Sequence, residues 1–300
     1  MFERVEFPSE GAMLRGRLYL PAERRRSACV VMAHGTSATI TMAADDYARA
    51  FHAGGLGVLL YDHRNFGASD GEPRHEINPW IQARGYRDAL AFLMNDARID
   101  PTRVAIWGDS YAGMIALVSG AVVDDVAAIV AQIPACGERL SSAPGGGANA
   151  DDLRRMFETG DPYANATQIG PLPVVSADQI NAPSLLKPIQ AFRWFMEYGG
   201  RHGSGWENRV TRVTPKGPCA FDAYQAAPLV RAPTLMMVGR DDEMVHCARE
   251  AQQAVFDRLL APKTFAEIEG GHFGLLWAPG AIFERAARVQ IEFLHAHLLA

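Results

Sequence analysis

The chain has 300 residues, 48% of them hydrophobic and 21% charged, a balance that excludes a disordered protein and suits one large α/β domain with an insertion, or two domains. Its 29 basic and 34 acidic residues leave a net charge of −5, so neither nucleic acid nor an anionic membrane is the expected partner. Apolar runs break well short of the about eighteen residues of a membrane span, the N-terminus lacks the long apolar region of a signal peptide, and four scattered cysteines form no C-x-x-C pair. The expectation is a soluble, reduced, cytoplasmic protein with neither a zinc site nor a disulfide framework.

In chain order, short runs rich in Val, Ile and Leu predict strands at 4–7, 14–20, 29–33, 57–61, 104–107, 127–133, 234–239 and 264–268. Apolar residues spaced three and four apart predict helices at 44–53, 79–95, 110–120, 246–260 and 281–299. This alternation is the pattern of a mostly parallel sheet covered by helices. It stops between 135 and 228, a stretch that includes the Gly/Pro/Ser-rich run SSAPGGGANA at 141–150 and is too long for an ordinary connection. The expected organisation is a core of residues 1–134 and 229–300 interrupted by an inserted cap of residues 135–228. Within the cap, 191–198 (AFRWFMEY) reads as a helix with an aromatic face and most of the remainder as loop. No internal repeat is present, which excludes solenoids and propellers.

The strict pattern G-x-S-x-G occurs once, around Ser69, but Asp-Gly-Glu-Pro follows it and turn residues of that kind cannot start a helix at once. A nucleophile needs a strand entering the turn and a helix leaving it, so that the hydroxyl projects above the sheet. Ser110 has both, in Gly108-Asp-Ser110-Tyr-Ala112-Gly113 between RVAIW and MIALVSG, although a Ser here equally serves as a helix N-cap. His272, in Glu269-Gly-Gly-His272 after the last strand, is the expected base. Of the nine histidines, His75 reads as part of a polar loop and His295 and His297 as part of the terminal helix. The strand end TLMMVGRDDEMV offers Asp241, Asp242 and Glu243 to orient that base. Asp242 is preferred because it sits at the turn, with Val245 expected to start the next helix; both aspartates also suit capping of that helix. Oxyanion donors are expected in the backbone N–H groups of Tyr111, next to the nucleophile, and of Thr36, in the His34-Gly35-Thr36-Ser37 loop. His34 reads as a shaping residue of that loop.

These motifs, in this order and spacing, resemble the α/β-hydrolase superfamily, from about residue 12 to the C-terminus except for most of the insertion. The Ser-Tyr pair at 110 and 111 also resembles the dipeptidyl-peptidase and cocaine-esterase-like branch. The runs YDHRNFGAS (61–69), EINPWIQARGYRDAL (76–90) and GWENRVT (205–211) are similar to a group containing polyketide transferases and thiohydrolases. The resemblance implies acyl transfer from a small-molecule ester or thioester through an acyl-serine, with no metal or organic cofactor. A Ser nucleophile disfavours the dehalogenase and epoxide-hydrolase branches, which use Asp, and the dienelactone hydrolases, which use Cys. The resemblance puts a lid where the insertion lies, with Trp194, Phe195, Met196, Tyr198 and Trp206 available either to line an acyl pocket or to form the lid's own core. Hydrolysis by a serine esterase or thioesterase is the leading expectation. Acyl transfer to an alcohol by the same residues, and a non-catalytic ligand-binding relative, are the alternatives.

Overall fold

The computed structural model describes residues 1–22, 26–138, 150–217 and 219–299. The SSAPGGGANA run up to residue 149 therefore lies outside the described residues. The chain begins with β1 (Glu3–Ser9), β2 (Ala12–Tyr19), β3 (Ser27–Ala33), α1 (Ala43–Ala53), β4 (Gly57–Tyr61), β5 (Glu76–Ile77), α2 (Pro79–Met94), β6 (Ile99–Asp109), α3 (Ser110–Gly120) and β7 (Ala128–Gln132). There follow α4 (Ala150–Glu158), β8 (Thr167–Leu172), α5 (Ile189–Gly199), β9 (Val210–Thr214) and α6 (Ala223–Ala226). The last part runs β10 (Thr234–Gly239), α7 (Arg249–Arg258), β11 (Lys263–Ile268), α8 (His272–Leu275) and α9 (Ala281–Leu298). Among the described residues no helix is long and apolar enough to cross a membrane.

All eight strands predicted from the sequence join one sheet, in the order β1-β2-β4-β3-β6-β7-β10-β11. The first two are antiparallel to their neighbours, and every pairing from β4 onward is parallel. Strand parity explains the continuous apolar runs, because each central strand is buried on both faces. Val30 and Met32 of β3 face a core completed by Tyr47 and Phe51 of α1 and by Leu294 of α9. Cys29, Val31 and Ala33 face the opposite core, with Trp80 and Tyr86 of α2 and Ile115 of α3. Each fully buried side chain of this size contributes about 1.5–3 kcal/mol.

The topology also says where a site can form. From β3 the chain moves outward to β4, and from β6 it moves the other way to β7, although β3 and β6 are hydrogen-bonded neighbours. The loops leaving these two strands diverge, and a crevice opens between them at the carboxyl edge of the sheet.

The segment between β7 and β10 contains more regular structure than its sequence suggests. The expected helix at 191–198 is α5, but α4 and the strands β8 and β9 occupy stretches read as loop. β9 pairs in parallel with the two-residue β5 and antiparallel with β8, forming a separate three-stranded sheet. β8 (TQIGPL) is exposed almost throughout and broken by Gly-Pro, so it carries no apolar alternation; only pairing with distant chain makes it a strand. The sequence also starts one helix too early. α7 begins at Arg249, Val245 lies in an exposed turn, and Ala248 occupies the N-cap, so neither Asp241 nor Asp242 caps that helix.

Helix α9 is fastened to the sheet centre by polar contacts in a dry setting. Trp107 Nε1 of β6 donates to Gln290 Oε1 at 2.6 Å, and Gln290 Nε2 donates to Gln132 Oε1 of β7. Replacing Gln290 by Ala leaves the buried indole N–H unpaired and opens a void. Gln290→Ala should lower the unfolding free energy by about 2–4 kcal/mol, measured from denaturant midpoints at unchanged slope.

Candidate active site

The crevice is built around the junction of β6 and α3. Ser110 has a φ of 54°, the left-handed region that a residue with a side chain enters only under constraint. Asp109, with extended backbone, is the N-cap of α3 and makes no side-chain capping bond, so Ser110 is the first helical residue and not the cap. The turn is too tight for a side chain at position 108, where a Cβ would stand 2.2 Å from the Ala112 carbonyl oxygen. Gly35, in the loop after β3, meets the same turn. A Cβ there would lie 2.9 Å from Asp109 Oδ2 and 3.2 Å from Ser110 Cβ. Ala112, where the strict pattern has Gly, is fully buried, and Gly113 packs close against the carbonyls of Gly108 and Gln132.

His272 reaches the crevice from the end of β11. Its Nδ1 lies 2.9 Å from Asp242 Oδ2, and both side chains are almost wholly buried. Asp242 Oδ1 accepts from the Met244 backbone N–H at 2.9 Å, which fixes the carboxylate plane. The other two acidic candidates take different places. Glu243 Oε2 accepts the His272 backbone N–H at 2.7 Å, whereas Asp241 is exposed. The two glycines before His272 are explained by contact. Gly270 has a φ of 121°, and a Cβ on Gly271 would fall 2.4 Å from Glu243 Oε2. Cys247 lies beside the pair, its potential ligand atom within 4.8 Å of theirs. Burial pushes this thiol well above its ordinary pKa, and it donates to the Ile133 carbonyl oxygen.

Ser110, Thr36, Tyr111 and His272 all line one cavity of about 390 Å³, with Asp242 behind the imidazole. Among the described residues no hydrogen bond joins Ser110 to His272. The remaining wall is mainly apolar and comes in part from the segment after β7. Of the five aromatic and Met side chains considered for the pocket, Trp194 and Phe195 line it. Tyr198 is buried against Trp194 in a stacked pair, Trp206 packs on Phe195, and Met196 is exposed.

The other Ser and His candidates serve the scaffold. Ser69 Oγ donates to the Asp62 carbonyl oxygen at 2.6 Å and accepts the Arg15 backbone N–H at 2.9 Å, away from the cavity. His34 is buried, with Nδ1 2.9 Å from the Gly35 carbonyl oxygen and Nε2 accepting the His63 backbone N–H, so it ties the Thr36 loop to the end of β4. His75 corrects its sequence reading: it is buried, with a φ of 61°, and its ring lies 3.3 Å from Glu207. Several cavity residues were not expected from the sequence. Asp109 and Arg212 both line the cavity, the first hidden in the nucleophile motif and the second brought in by the pairing of β9 with β5.

Comparison with known proteins agrees with this fold. Residues 30–286 match the sequence pattern described as "Alpha/beta hydrolase family". Thiohydrolase apmlB of Arthrinium phaeospermum is 28% identical, over 97% of this chain and 96% of its own. Polyketide transferase af380 of Aspergillus fumigatus is 30% identical, over 99% and 98%. The crystal structure of the alpha/beta hydrolase GrgF from Penicillium covers both chains completely with a TM-score of 0.74 at 24% identity, a likeness of fold.

Asp109 gives the site a measurable pH dependence. Burial pushes its carboxyl from the ordinary 3.8 up to about 6, opposed by the nearby His272 and the Gly35 backbone, and among the described residues Oδ1 has no hydrogen-bond partner. The folded protein thus holds this proton more tightly than the unfolded chain. The contribution is fully present below pH 4 and is lost as the pH rises toward 6. Asp109→Asn should remove it, so that the variant gains about 1–3 kcal/mol on wild type between pH 4 and 7 in paired denaturation curves. Parallel curves at every pH would refute the assignment.

Proposed function

The chain belongs to the alpha/beta hydrolase family, whose pattern spans residues 30–286, and from that membership we propose that it is a serine hydrolase of esters or thioesters. The observation that carries the reading is the buried 2.9 Å contact between His272 and Asp242 on the cavity that Ser110 enters with a φ of 54°. In this reading Ser110 Oγ attacks the acyl carbon while His272 Nε2 takes its proton. Asp242 accepts the Nδ1–H, fixes the tautomer and stabilises the imidazolium. The backbone N–H groups of Thr36 and Tyr111 meet the oxyanion, in a mainly apolar cavity. Collapse of the tetrahedral intermediate expels the alcohol or thiol with the proton from His272. Water then repeats the sequence on the acyl-serine and releases the acid.

Residues 135–228 act in this proposal as a cap over the core of residues 1–134 and 229–300. Trp194 and Phe195 support that role by covering the cavity from α5. A second reading, acyl transfer to an alcohol, draws support from the relative named as a polyketide transferase and from the apolar wall, which disfavours bulk water near the acyl-serine. Mixing an acyl donor with graded alcohols distinguishes the two. Free acid as the sole product at every alcohol concentration eliminates transfer.

Ser110→Ala should abolish turnover of p-nitrophenyl esters and labelling by a fluorophosphonate, and Asp242→Asn should lower kcat by about 10³–10⁴. Ser69→Ala is the matched control. It should keep turnover and labelling while losing about 1–3 kcal/mol of stability, since it strips partners from two backbone groups. Normal turnover by Ser110→Ala would sink the proposal.

A further inference from the structure

Arg212 is out of keeping with its surroundings. It sits on β9 opposite Ile77 of β5, and both side chains line the cavity that holds Ser110 and Tyr111. Several other part-buried arginines are paired with carboxylates, Arg17 with Asp45, Arg84 with Glu10, and Arg87 with Glu10 and Asp88, while Arg74 is held by backbone carbonyls and Arg258 stacks on Tyr224. Arg212 is half-buried, yet among the described residues its guanidinium has neither ion pair nor hydrogen bond. Withdrawing such a group from water without a partner is costly, so a position of this kind calls for a ligand.

The nearby groups do not supply one. Asp109 lies behind the nucleophile turn against Gly35, and Asp222 caps α6 through the Tyr224 backbone N–H at 2.8 Å. His246, also on the cavity wall, has its pKa lowered by burial and by the charge of Arg212, so it is neutral at pH 7. Arg212 therefore presents a permanent positive charge and a fork of donors to whatever fills a mainly apolar cavity. Carboxylate and phosphate oxygens fit that fork best.

We propose that Arg212 determines specificity by docking an anionic oxygen group of the substrate, a carboxylate or phosphate, while the apolar wall holds the acyl chain and Ser110 receives the acyl carbon. The inference rests on the serine-hydrolase reading for its chemistry. The anion belongs either to the far end of the acyl group or to the leaving group, and the test has one arm for each.

For the acyl arm, adipoyl N-acetylcysteamine thioester is compared with its methyl-ester-capped counterpart. For the leaving-group arm, hexanoyl-CoA is compared with hexanoyl N-acetylcysteamine. In one arm the wild type should favour the anionic member in kcat/KM by about 10–100-fold, the range of a charge-assisted hydrogen-bond pair. Arg212→Ala should bring that ratio to within about threefold of unity, Arg212→Lys should keep part of it, and Arg212→Glu should invert it. Each ratio is internal to one preparation, so a partly folded sample does not mimic the result. The arm that responds identifies the source of the anion, and ratios unchanged by Arg212→Ala in both arms overturn the proposal. Should the wild type turn over neither neutral thioester nor become labelled at Ser110, it is the hydrolase reading that has failed. Calorimetric binding then decides about Arg212. Adipate and CoA binding that Arg212→Ala abolishes supports the anion site, and binding that is absent or unaltered by the substitution refutes it.

Discussion

The close approach of two backbone turns is the constraint on which the rest of this molecule depends. The loop after β3 lies so near the junction of β6 with α3 that Gly35 has no room for a Cβ, and within that junction Gly108 has none against Ala112. Ser110 is held in a left-handed conformation between them, at a cost of about 1–3 kcal/mol that must be offset by packing on either side. β6 supplies it from between β3 and β7, and α3 supplies it through a face buried against α2. The same approach puts Thr36 beside Ser110 on the cavity wall and shuts Asp109 away from water.

Around this junction the site is assembled from chain segments that share no local sequence. His272 arrives from the far edge of the sheet, and its ring is aimed by Asp242 while its backbone is held by Glu243. Two acidic neighbours thus divide the work of aiming one residue. The glycines at 270 and 271 make that possible, one by its backbone conformation and the other by leaving space for a carboxylate. The roof is contributed by α5 and β9, whose residues meet the core only through contacts distant in sequence.

How much could be read in advance follows from how local each cause is. The eight strands of the main sheet were legible because burial on both faces imposes unbroken apolar runs. The strand-turn-helix setting of Ser110 was legible because RVAIW precedes it and MIALVSG follows, whereas Asp-Gly-Glu-Pro after Ser69 starts no helix. The small sheet was illegible, since β5 has two residues and β8 is exposed, and neither carries a pattern without its partner. The start of α7 was misjudged because the residues before Arg249 have helical spacing but are spent on the turn that carries Asp242 and Cys247. Arg212 gave no signal in its own segment; only the register that sets it opposite Ile77 puts it on the cavity. That His75 is buried within its polar loop was not legible, because its burial depends on Phe66 and Glu207, which are brought to it by the fold.

One further contact bears on how such a protein changes over evolutionary time. Arg84 of α2 is buried, paired with Glu10, and its guanidinium donates to the carbonyl oxygens of Met156, Phe157 and Gly160 at the end of α4. Nearby, Asn78 donates to the Pro162 carbonyl oxygen and Tyr163 to Glu76. The stretch after β7 is thus not a detachable accessory. Exchange of that stretch for one from a relative would leave the buried guanidinium with Glu10 but short of three acceptors unless the incoming chain offered the same row of carbonyls. Recombination at this boundary is thereby restricted to donors that keep the clasp, and new specificities must arise by substitution within the inherited segment more readily than by replacement of it.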